Sequence, residues 1–264
     1  MSDIRNKLYF VSDAHLGSGD DSRERELSLC RLLDSMKTDA KRLVLLGDMF
    51  DFWFSSKYVV PRGHVRLLGK LAELADAGVE IHYYIGNHDM WLFDYLEKEI
   101  GVVMHTEPDI MGFDGRRFLI GHGDGLGGFD PGYDHLKKIF RNRACQRLFA
   151  LLPPRLTFPI AQRWSDSNKL RHQREGLQHY LGDEREGIVI YMKERMQHDQ
   201  FDYAVFGHRH TPLDMEISTQ AIKHSGNQAI KYINTGDWLD HRSYAVYAEG
   251  NIKLVEDCTG KDDN

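Results

Sequence analysis

Cysteine is scarce in this sequence, with three residues among 264, far apart at Cys30, Cys145 and Cys258. An odd, scattered set of this kind excludes a disulfide framework and the paired spacing of a zinc finger. Because disulfides persist mainly in oxidising compartments, the sequence favours a reducing one.

Long apolar runs are also lacking. No stretch approaches the roughly 20 residues that cross a bilayer, and the N-terminus has no apolar core typical of a signal peptide. The formal net charge of -6 argues against a general nucleic-acid-binding protein. We therefore expect a cytoplasmic protein without a nucleic-acid partner, while its oligomeric state stays open.

Apolar residues are nevertheless plentiful enough for a packed core, since they make up 41% of the chain. In its first third, buried-strand patterns at 8–12, 43–46 and 79–85 alternate with helical patterns at 23–36 and 64–76. This alternation predicts a parallel sheet with right-handed crossovers.

Strand patterns dominate the second half of the chain. Asp114-Gly115 separates two of them, at 110–113 and 116–120, and is typical of a type I′ hairpin turn. Further strands are predicted at 203–206, 231–234, 243–248 and 252–255. The second half therefore predicts antiparallel sheet, and the whole chain predicts two mixed sheets packed face to face with helices outside.

Metal-binding residue types recur where predicted strands end. Five blocks carry them: Asp13-Ala14-His15, Gly47-Asp48-Met49-Phe50-Asp51, Gly86-Asn87-His88-Asp89, Gly121-His122-Gly123-Asp124 and Gly207-His208-Arg209-His210. Any single histidine is more often a fold residue than a ligand. Ligands bind beyond the carboxyl ends of parallel strands, however, so an ordered set at strand ends favours one shared site.

Seven residues of these blocks are candidate metal ligands: Asp13, His15, Asp48, Asn87, His122, His208 and His210. Carboxylate, amide and imidazole groups suit Mn²⁺, Fe²⁺, Zn²⁺, Co²⁺ or Mg²⁺. Seven are too many for one open site and suit two ions that share a bridging carboxylate. Two ions about 3.5–4 Å apart can clamp the attacking and leaving oxygens of a displacement at phosphorus. His88 is left free as a phosphate binder or general acid.

The five ordered blocks resemble those of the calcineurin-like metallophosphoesterase superfamily, over about residues 8 to 240. The resemblance implies an α/β fold, a four-layer α/β/β/α sandwich, with a dinuclear metal centre. By motif, Asp13, His15 and His210 would hold one ion, Asn87, His122 and His208 the other, and Asp48 would bridge. Catalytic roles fall on Asp48, Asn87 and His88, whereas Asp51 and Asp89 would support ligands.

An insertion at 129–200, here called the lid segment, separates the parts of the metallophosphoesterase domain at 1–128 and 201–258, and 259–264 forms a polar tail. Between Lys137 and Arg174 stand ten Lys or Arg and one acidic residue, Asp166, interleaved with leucines and aromatics. This composition suits an anionic membrane surface or an anionic amphiphile. The alternative is a helical subdomain whose arginines are solvated.

The lid segment resembles that of the UDP-2,3-diacylglucosamine diphosphatases of lipid A biosynthesis. The run Gly47 to Trp53, Gly-Asp-Met-Phe-Asp-Phe-Trp, is similar to that family's Gly-Asp-Leu-Phe-Glu-x-Trp, and Asp130 and Tyr133 follow His122 at its spacing. The resemblance implies hydrolysis of the UDP-linked diacyl sugar to 2,3-diacylglucosamine 1-phosphate and UMP, usually with Mn²⁺, on the inner face of the inner membrane. Candidate substrate contacts are Asn87, His88, Asp130, Tyr133, Arg163, Ser167, Lys169 and His208.

One position departs from that family. Its best-known members carry Gly-Asn-Arg-Asp where this chain has His88. Arginine grips a diphosphate without giving up a proton, whereas histidine can do both. Two alternatives therefore stay open: a metallophosphoesterase for another nucleotide diphosphate or phosphodiester, and a binding module that keeps the fold without catalysis. The second is disfavoured because such a module is expected to lose ligands, and all seven are present.

Overall fold

Two β-sheets form the centre of the fold in the computed structural model, which describes residues 5–55, 59–128, 131–153, 157, 180, 182–218 and 229–256. The first sheet has the order β11-β10-β1-β2-β3-β4. Its strands are β1 Lys7–Val11, β2 Ala40–Leu45, β3 Glu80–Tyr84, β4 Val103–His105, β10 Ser243–Ala248 and β11 Asn251–Glu256. Strands β1 to β4 are parallel, while β10 and β11 pair antiparallel at one side.

The second sheet has the order β5-β6-β7-β9-β8. Its strands are β5 Asp109–Phe113, β6 Arg116–Gly121, β7 Tyr203–Phe206, β8 Pro212–Ser218 and β9 Ala229–Thr235. The described helices are α1 Ser22–Met36, α2 Val65–Asp76, α3 Tyr95–Ile100, α4 Pro131–Arg141, α5 Arg143–Ala150 and α6 Gly187–Arg195, with a 3-10 turn at Leu126–Gly128.

Side-chain alternation along the strands builds the layers. In β1, Leu8 and Phe10 face the second sheet and pack with Phe118 and Ile120 of β6. Their neighbours Tyr9 and Val11 face the other way, towards the leucines of α1 and α2. Because β1 is buried on both faces, its sequence is a continuous apolar run rather than an alternating one.

The outer face of the second sheet is covered by α6. Ile188, Val189 and Met192 pack against Leu119 and Phe206. With α1 and α2 on the outer face of the first sheet, the layers run α/β/β/α, which confirms the predicted fold class. Helix α6 falls within the predicted lid segment, so part of that range covers the second sheet.

The predicted antiparallel character of the second half is wrong for the centre of the second sheet. Strands β6, β7 and β9 are parallel, and only β5 and β8 pair antiparallel at its edges. A parallel pair needs a crossover, and α6 supplies the one between β6 and β7. The β10–β11 hairpin is antiparallel as expected but extends the first sheet.

Local turn chemistry matches the sequence at the β5–β6 hairpin. Asp114 and Gly115 both have positive φ, 51° and 71°, as a type I′ turn requires, which confirms that prediction. In the described part of the chain, no helix has the length and apolar character needed to cross a membrane.

Gly69 offers a test of the packing of α2. It is exposed in the helix interior, and an added Cβ would meet no atom within 4 Å. We expect Gly69→Ala to raise the free energy of unfolding by about 1 kcal/mol, because glycine is a poor helix former. Denaturant unfolding measures this change.

Gly101 is the matched control, since a Cβ there also meets open space. Its φ of 82° at the end of α3 is left-handed, however. Gly101→Ala should therefore destabilise the protein by about 1–2 kcal/mol. Equal effects of the two substitutions would contradict this description of the helices.

Candidate metal centre

The predicted ligands converge at the carboxyl ends of strands from both sheets. Asp13, Asp48 and Asn87 follow β1, β2 and β3 of the first sheet, whereas His122 and His208 lie at or just beyond the ends of β6 and β7 of the second. Three overlapping groups have ligand atoms within 4.8 Å of one another: Asp13, His15 and His210; His15, Asp48 and His88; and Asp48, His122 and His208. The two halves of the fold thus meet at one cluster.

The first group surrounds a space beside β1. His15 Nε2 lies 3.2 Å from His210 Nε2 and 3.9 Å from Asp13 Oδ1. Asp13 Oδ1 and His210 Nε2 are 3.3 Å apart. These are the three residues predicted to hold one ion.

The second group lies around His122. Its Nε2 is 3.4 Å from Asp48 Oδ2 and 3.1 Å from Asn87 Oδ1, and the His122 and His208 ring centroids are 5.0 Å apart. Asp48 Oδ2 is also 3.8 Å from His15 Nε2 of the first group. This carboxylate therefore lies between the two groups, where the motif resemblance placed the bridging ligand.

Three of the imidazoles have an oxygen within 3.4 Å of Nδ1, and their Nε2 atoms face the cluster. His122 Nδ1 donates to Leu46 O at 2.7 Å. His15 Nδ1 lies 3.4 Å from Asp51 Oδ1, and His210 Nδ1 lies 3.3 Å from Asp237 Oδ2. Carboxylates and carbonyls commonly fix metal-binding histidines in this way.

The backbone at the ligands is strained. Positive φ values occur at five non-glycine ligands: Asp13 (51°), His15 (41°), Asp48 (51°), His208 (67°) and His210 (58°). Each such residue costs of order 1–3 kcal/mol, and this strain concentrates at functional sites. Five of the seven candidate ligands share this conformation, so the strained backbone is concentrated at the cluster, although single residues elsewhere, such as Phe93 and Glu249, adopt it too.

The glycines of the blocks permit close approach of neighbouring loops, within the first sheet at Gly86 and between the two sheets at Gly207. A Cβ on Gly86 would lie 2.1 Å from Asp48 Oδ1, and one on Gly207 would lie 2.6 Å from Asp13 Oδ2. A side chain at either position would collide with a candidate ligand. This explains why Gly precedes the ligand in these blocks.

The donor set fits divalent metal ions. Asp13 Oδ1 is buried and, within the residues that the structure describes, has no hydrogen-bond donor. A buried carboxylate oxygen without a donor is costly unless a cation compensates it. Oxygen and imidazole donors of this kind suit Mn²⁺, Fe²⁺, Zn²⁺, Co²⁺ or Mg²⁺.

Burial and mutual charge separate the histidine pKa values. Burial lowers the pKa of His15 to about 4 and that of His208 to about 3. Burial also opposes the charged form of His122 and His210, but Asp48 for the former, and Asp13 with Asp237 for the latter, raise these pKa values to about 10. A metal ion at Nε2 of these histidines must displace any proton there, so metal binding competes with protonation.

Of the predicted substrate contacts, His88 lies in the cluster with Asp48 and His15. Its Nδ1 donates to Asp51 O at 2.9 Å and its amide to Asp48 Oδ1 at 2.8 Å. Tyr133 is turned towards the loop after β6, where its hydroxyl donates to Asp124 Oδ2 at 2.7 Å. Asp130, Arg163, Ser167 and Lys169 lie outside the described residues.

The supporting residues were found only in part from the sequence. Asp51 contacts His15 as expected, and Asp89 accepts from the amides of Met49 (3.0 Å) and Gly86 (2.9 Å), which fixes two ligand loops. Asp237 was missed, although it follows strand β9 and so obeys the same strand-end rule. Asp124 was also given no role, although it stands in the His122 block.

Comparison with known proteins agrees with this geometry. The family model described as Calcineurin-like phosphoesterase matches residues 7–212, a range that contains all seven candidate ligands. The chain belongs to the calcineurin-like phosphoesterase family.

Several relatives of this phosphoesterase are similar over almost its whole length. A protein of Porphyromonas gingivalis named UDP-2,3-diacylglucosamine hydrolase is 37% identical over 266 residues, covering 96% of this chain and 98% of the relative. Proteins of the same name from Aeromonas salmonicida and Proteus mirabilis are 27% and 28% identical, each covering 94% of this chain and 92% and 97% of their own.

We expect Asp237 to support the phosphoesterase's metal centre, and substitution of this residue tests the role. Asp237→Asn removes the charge that orients His210 through Nδ1. We expect metal affinity to fall about 10–100-fold, measured by titrating Mn²⁺ into metal-free protein. Asp240→Asn, an exposed neighbour in the same loop, should leave the affinity unchanged. Equal affinities of the two variants would contradict this role.

Proposed function

We propose that this phosphoesterase hydrolyses the diphosphate of UDP-2,3-diacylglucosamine, giving 2,3-diacylglucosamine 1-phosphate and UMP. The observation that carries the proposal is the length of the similarity to the Porphyromonas gingivalis hydrolase, 96% of this chain. So long a match cannot omit the 129–200 lid segment, whereas the family core alone is shared by phosphoesterases of many kinds. The division into a phosphoesterase domain at 1–128 and 201–258 and a lid at 129–200 is part of this proposal.

The proposed metal centre uses all seven residues of the cluster. Asp13, His15 and His210 would hold one ion, Asn87, His122 and His208 would hold the other, and Asp48 would contribute to both, with Mn²⁺ as the preferred ion. When bound, the ions supply positive charge and Lewis acidity towards the phosphoryl oxygens. The distances from Asp48 to His15 and His122, 3.8 and 3.4 Å, support its place between the two ions.

We assign proton transfer to His88. Its Nδ1–H donates to Asp51 O, so we propose that Nε2 is the atom that meets a substrate phosphate. A proton held there can pass to the departing phosphate oxygen as the bond between the phosphates breaks. Asn87 and His208 belong to the cluster, and we propose that they also contact the diphosphate.

The described part of the lid segment contacts the phosphoesterase domain next to the metal centre. Trp91 Nε1 donates to Phe140 O of α4 at 2.8 Å, and the Trp91 ring lies 4.6 Å from that of Phe149 in α5. Phe54 joins the same cluster, 5.2 Å from Phe149. These rings pack the lid helices against the loops after β2 and β3. The lid is therefore placed where it could cover acyl chains of a substrate whose diphosphate lies at the ions.

A paired assay tests the proposed substrate. Purified protein with Mn²⁺ should release UMP from UDP-2,3-diacylglucosamine, and release from the same UDP-sugar without acyl chains should be much slower. Comparable rates on plain UDP-sugars or nucleotides would favour a different phosphoesterase. No UMP release with any divalent metal ion would overturn the proposal.

We also propose that the lid helices bind the inner face of the inner membrane. Leu148, Leu151 and Leu152 are 65%, 80% and 50% exposed, and Arg143 and Arg147 are exposed beside them. Exposed leucines among basic residues suit an anionic lipid surface. Arg141 is less suitable for this role because it pairs with Glu107.

Charge reversal tests membrane binding. Arg143→Glu with Arg147→Glu should weaken binding to vesicles containing anionic phospholipid by about 1 kcal/mol or more per position, and the difference should shrink at high salt. Lys253→Glu, on exposed β11, is the control and should bind like the wild type. Equal partitioning of all three proteins would reject the membrane role.

A further inference from the structure

Arg25 is buried to an unusual degree for an arginine. It belongs to the first turns of α1, and the residue is only 2% exposed, among the largest fully buried side chains of the described residues. Arginine is almost never fully buried unless it is paired. Its guanidinium lies against the loop between β1 and α1, which carries Asp13 and His15.

Most of its partners are main-chain carbonyls of that loop. Arg25 Nε donates to Ala14 O at 3.3 Å, and Nη2 donates to His15 O at 3.2 Å and to Ser18 O. Nη1 donates to the Asp21 carboxylate. The planar guanidinium offers five N–H donors in a fixed geometry, so a single side chain fixes several loop carbonyls together.

The amide groups of the same β1–α1 loop bind the loop that follows β2. The amides of His15 and Leu16 donate to Asp48 O (2.9 Å) and Met49 O (3.0 Å). Arg25, in contrast, donates to the carbonyls of Ala14 and His15. The left-handed conformation of His15, with φ 41°, is therefore fixed from both sides.

We propose that Arg25 is a positioning residue for the metal position formed by Asp13, His15 and His210. The inference rests on the proposed metal centre and adds that Arg25 supports only one of its two ion positions. Asn87, His122 and His208 come from other loops, and none of them accepts a hydrogen bond from Arg25 in the described structure. Loss of Arg25 should therefore weaken one of the two ion positions and spare the other.

Calorimetric titration of metal-free protein with Mn²⁺ tests this selectivity. In Arg25→Lys and Arg25→Gln, one of the two binding steps should weaken about 10–100-fold, as losses of supporting contacts do, and the other should stay unchanged. Arg23→Gln is the matched control, since Arg23 lies in the same helix turn with its side chain 51% exposed. The control should titrate like the wild type.

Each other outcome has a separate meaning. Unchanged binding steps with a lower melting temperature, or equal weakening of both steps, would reduce Arg25 to a structural residue and overturn the inference. A wild-type protein that binds no Mn²⁺ would instead overturn the metal centre itself.

Hydrogen exchange on the wild type keeps the inference testable if the variants do not fold. The amides of His15, Leu16 and Ser18 donate to Asp48 O, Met49 O and His15 O. They should be protected in metal-free protein, because Arg25 holds the carbonyls of the same loop and keeps these hydrogen bonds closed. Protection that appears only after Mn²⁺ is added would mean that the ion orders the loop, and the inference would fail.

Discussion

Asp48→Asn is expected to lower kcat/KM by three orders of magnitude or more while the protein stays folded. Asp48 Oδ2 is the carboxylate oxygen that lies near both His15 Nε2 and His122 Nε2, at 3.8 and 3.4 Å. Asparagine keeps the shape but removes the negative charge shared by the two proposed ions. Losing several kcal/mol of transition-state stabilisation corresponds to a factor of roughly 10³, since about 1.36 kcal/mol is tenfold.

The variant is informative only if its fold is intact. Circular dichroism and the melting temperature should match those of the wild type, and His122→Ala should show a similar loss of rate. Asp214→Asn is the control, because this carboxylate pairs with Lys231 at 3.1 Å, on the edge strand β8, and should leave the rate unchanged. A loss below about tenfold in Asp48→Asn would contradict the bridging role.

His88→Ala is expected to lower kcat by about 10²–10⁴-fold, the usual contribution of a positioned general acid. His88→Arg separates its two proposed roles. Arginine can bind the diphosphate but does not give up a proton at ordinary pH. The arginine variant should therefore keep KM close to the wild-type value and lose kcat as the alanine variant does.

A histidine outside the site completes the test of His88. His198→Ala is the histidine control, because His198 is exposed in the turn between α6 and β7, before the amino end of β7, and the variant should keep the wild-type kcat. An arginine variant with wild-type kcat would show that His88 only binds phosphate.

The clustering of these side chains could be predicted from the sequence for a physical reason. Its ligands follow apolar strands directly, and the carboxyl ends of parallel strands meet at one edge. The glycines of the blocks also indicate where the loops meet. A Cβ at Gly86 or Gly207 would collide with a ligand carboxylate that follows another strand. Local sequence and tertiary contact therefore agree at these positions.

Residues that support a ligand of another loop gave a weaker signal or none. Asp237 reaches His210 from a different strand, and Arg25 reaches the β1 loop from a helix face that reads as ordinary charged surface. The parallel centre of the second sheet was missed because its crossover, α6, lies inside a segment with an unusual composition. Such features depend on packing that periodicity does not report.

Anomalous diffraction from crystals of the active protein soaked in Mn²⁺ tests the central claim most directly. Two peaks are expected, about 3.5–4 Å apart, one among Asp13, His15 and His210 and the other among Asn87, His122 and His208, with Asp48 between them. The account would be contradicted by a single peak or by peaks away from these side chains. It would also be contradicted by the absence of peaks in protein that still hydrolyses substrate.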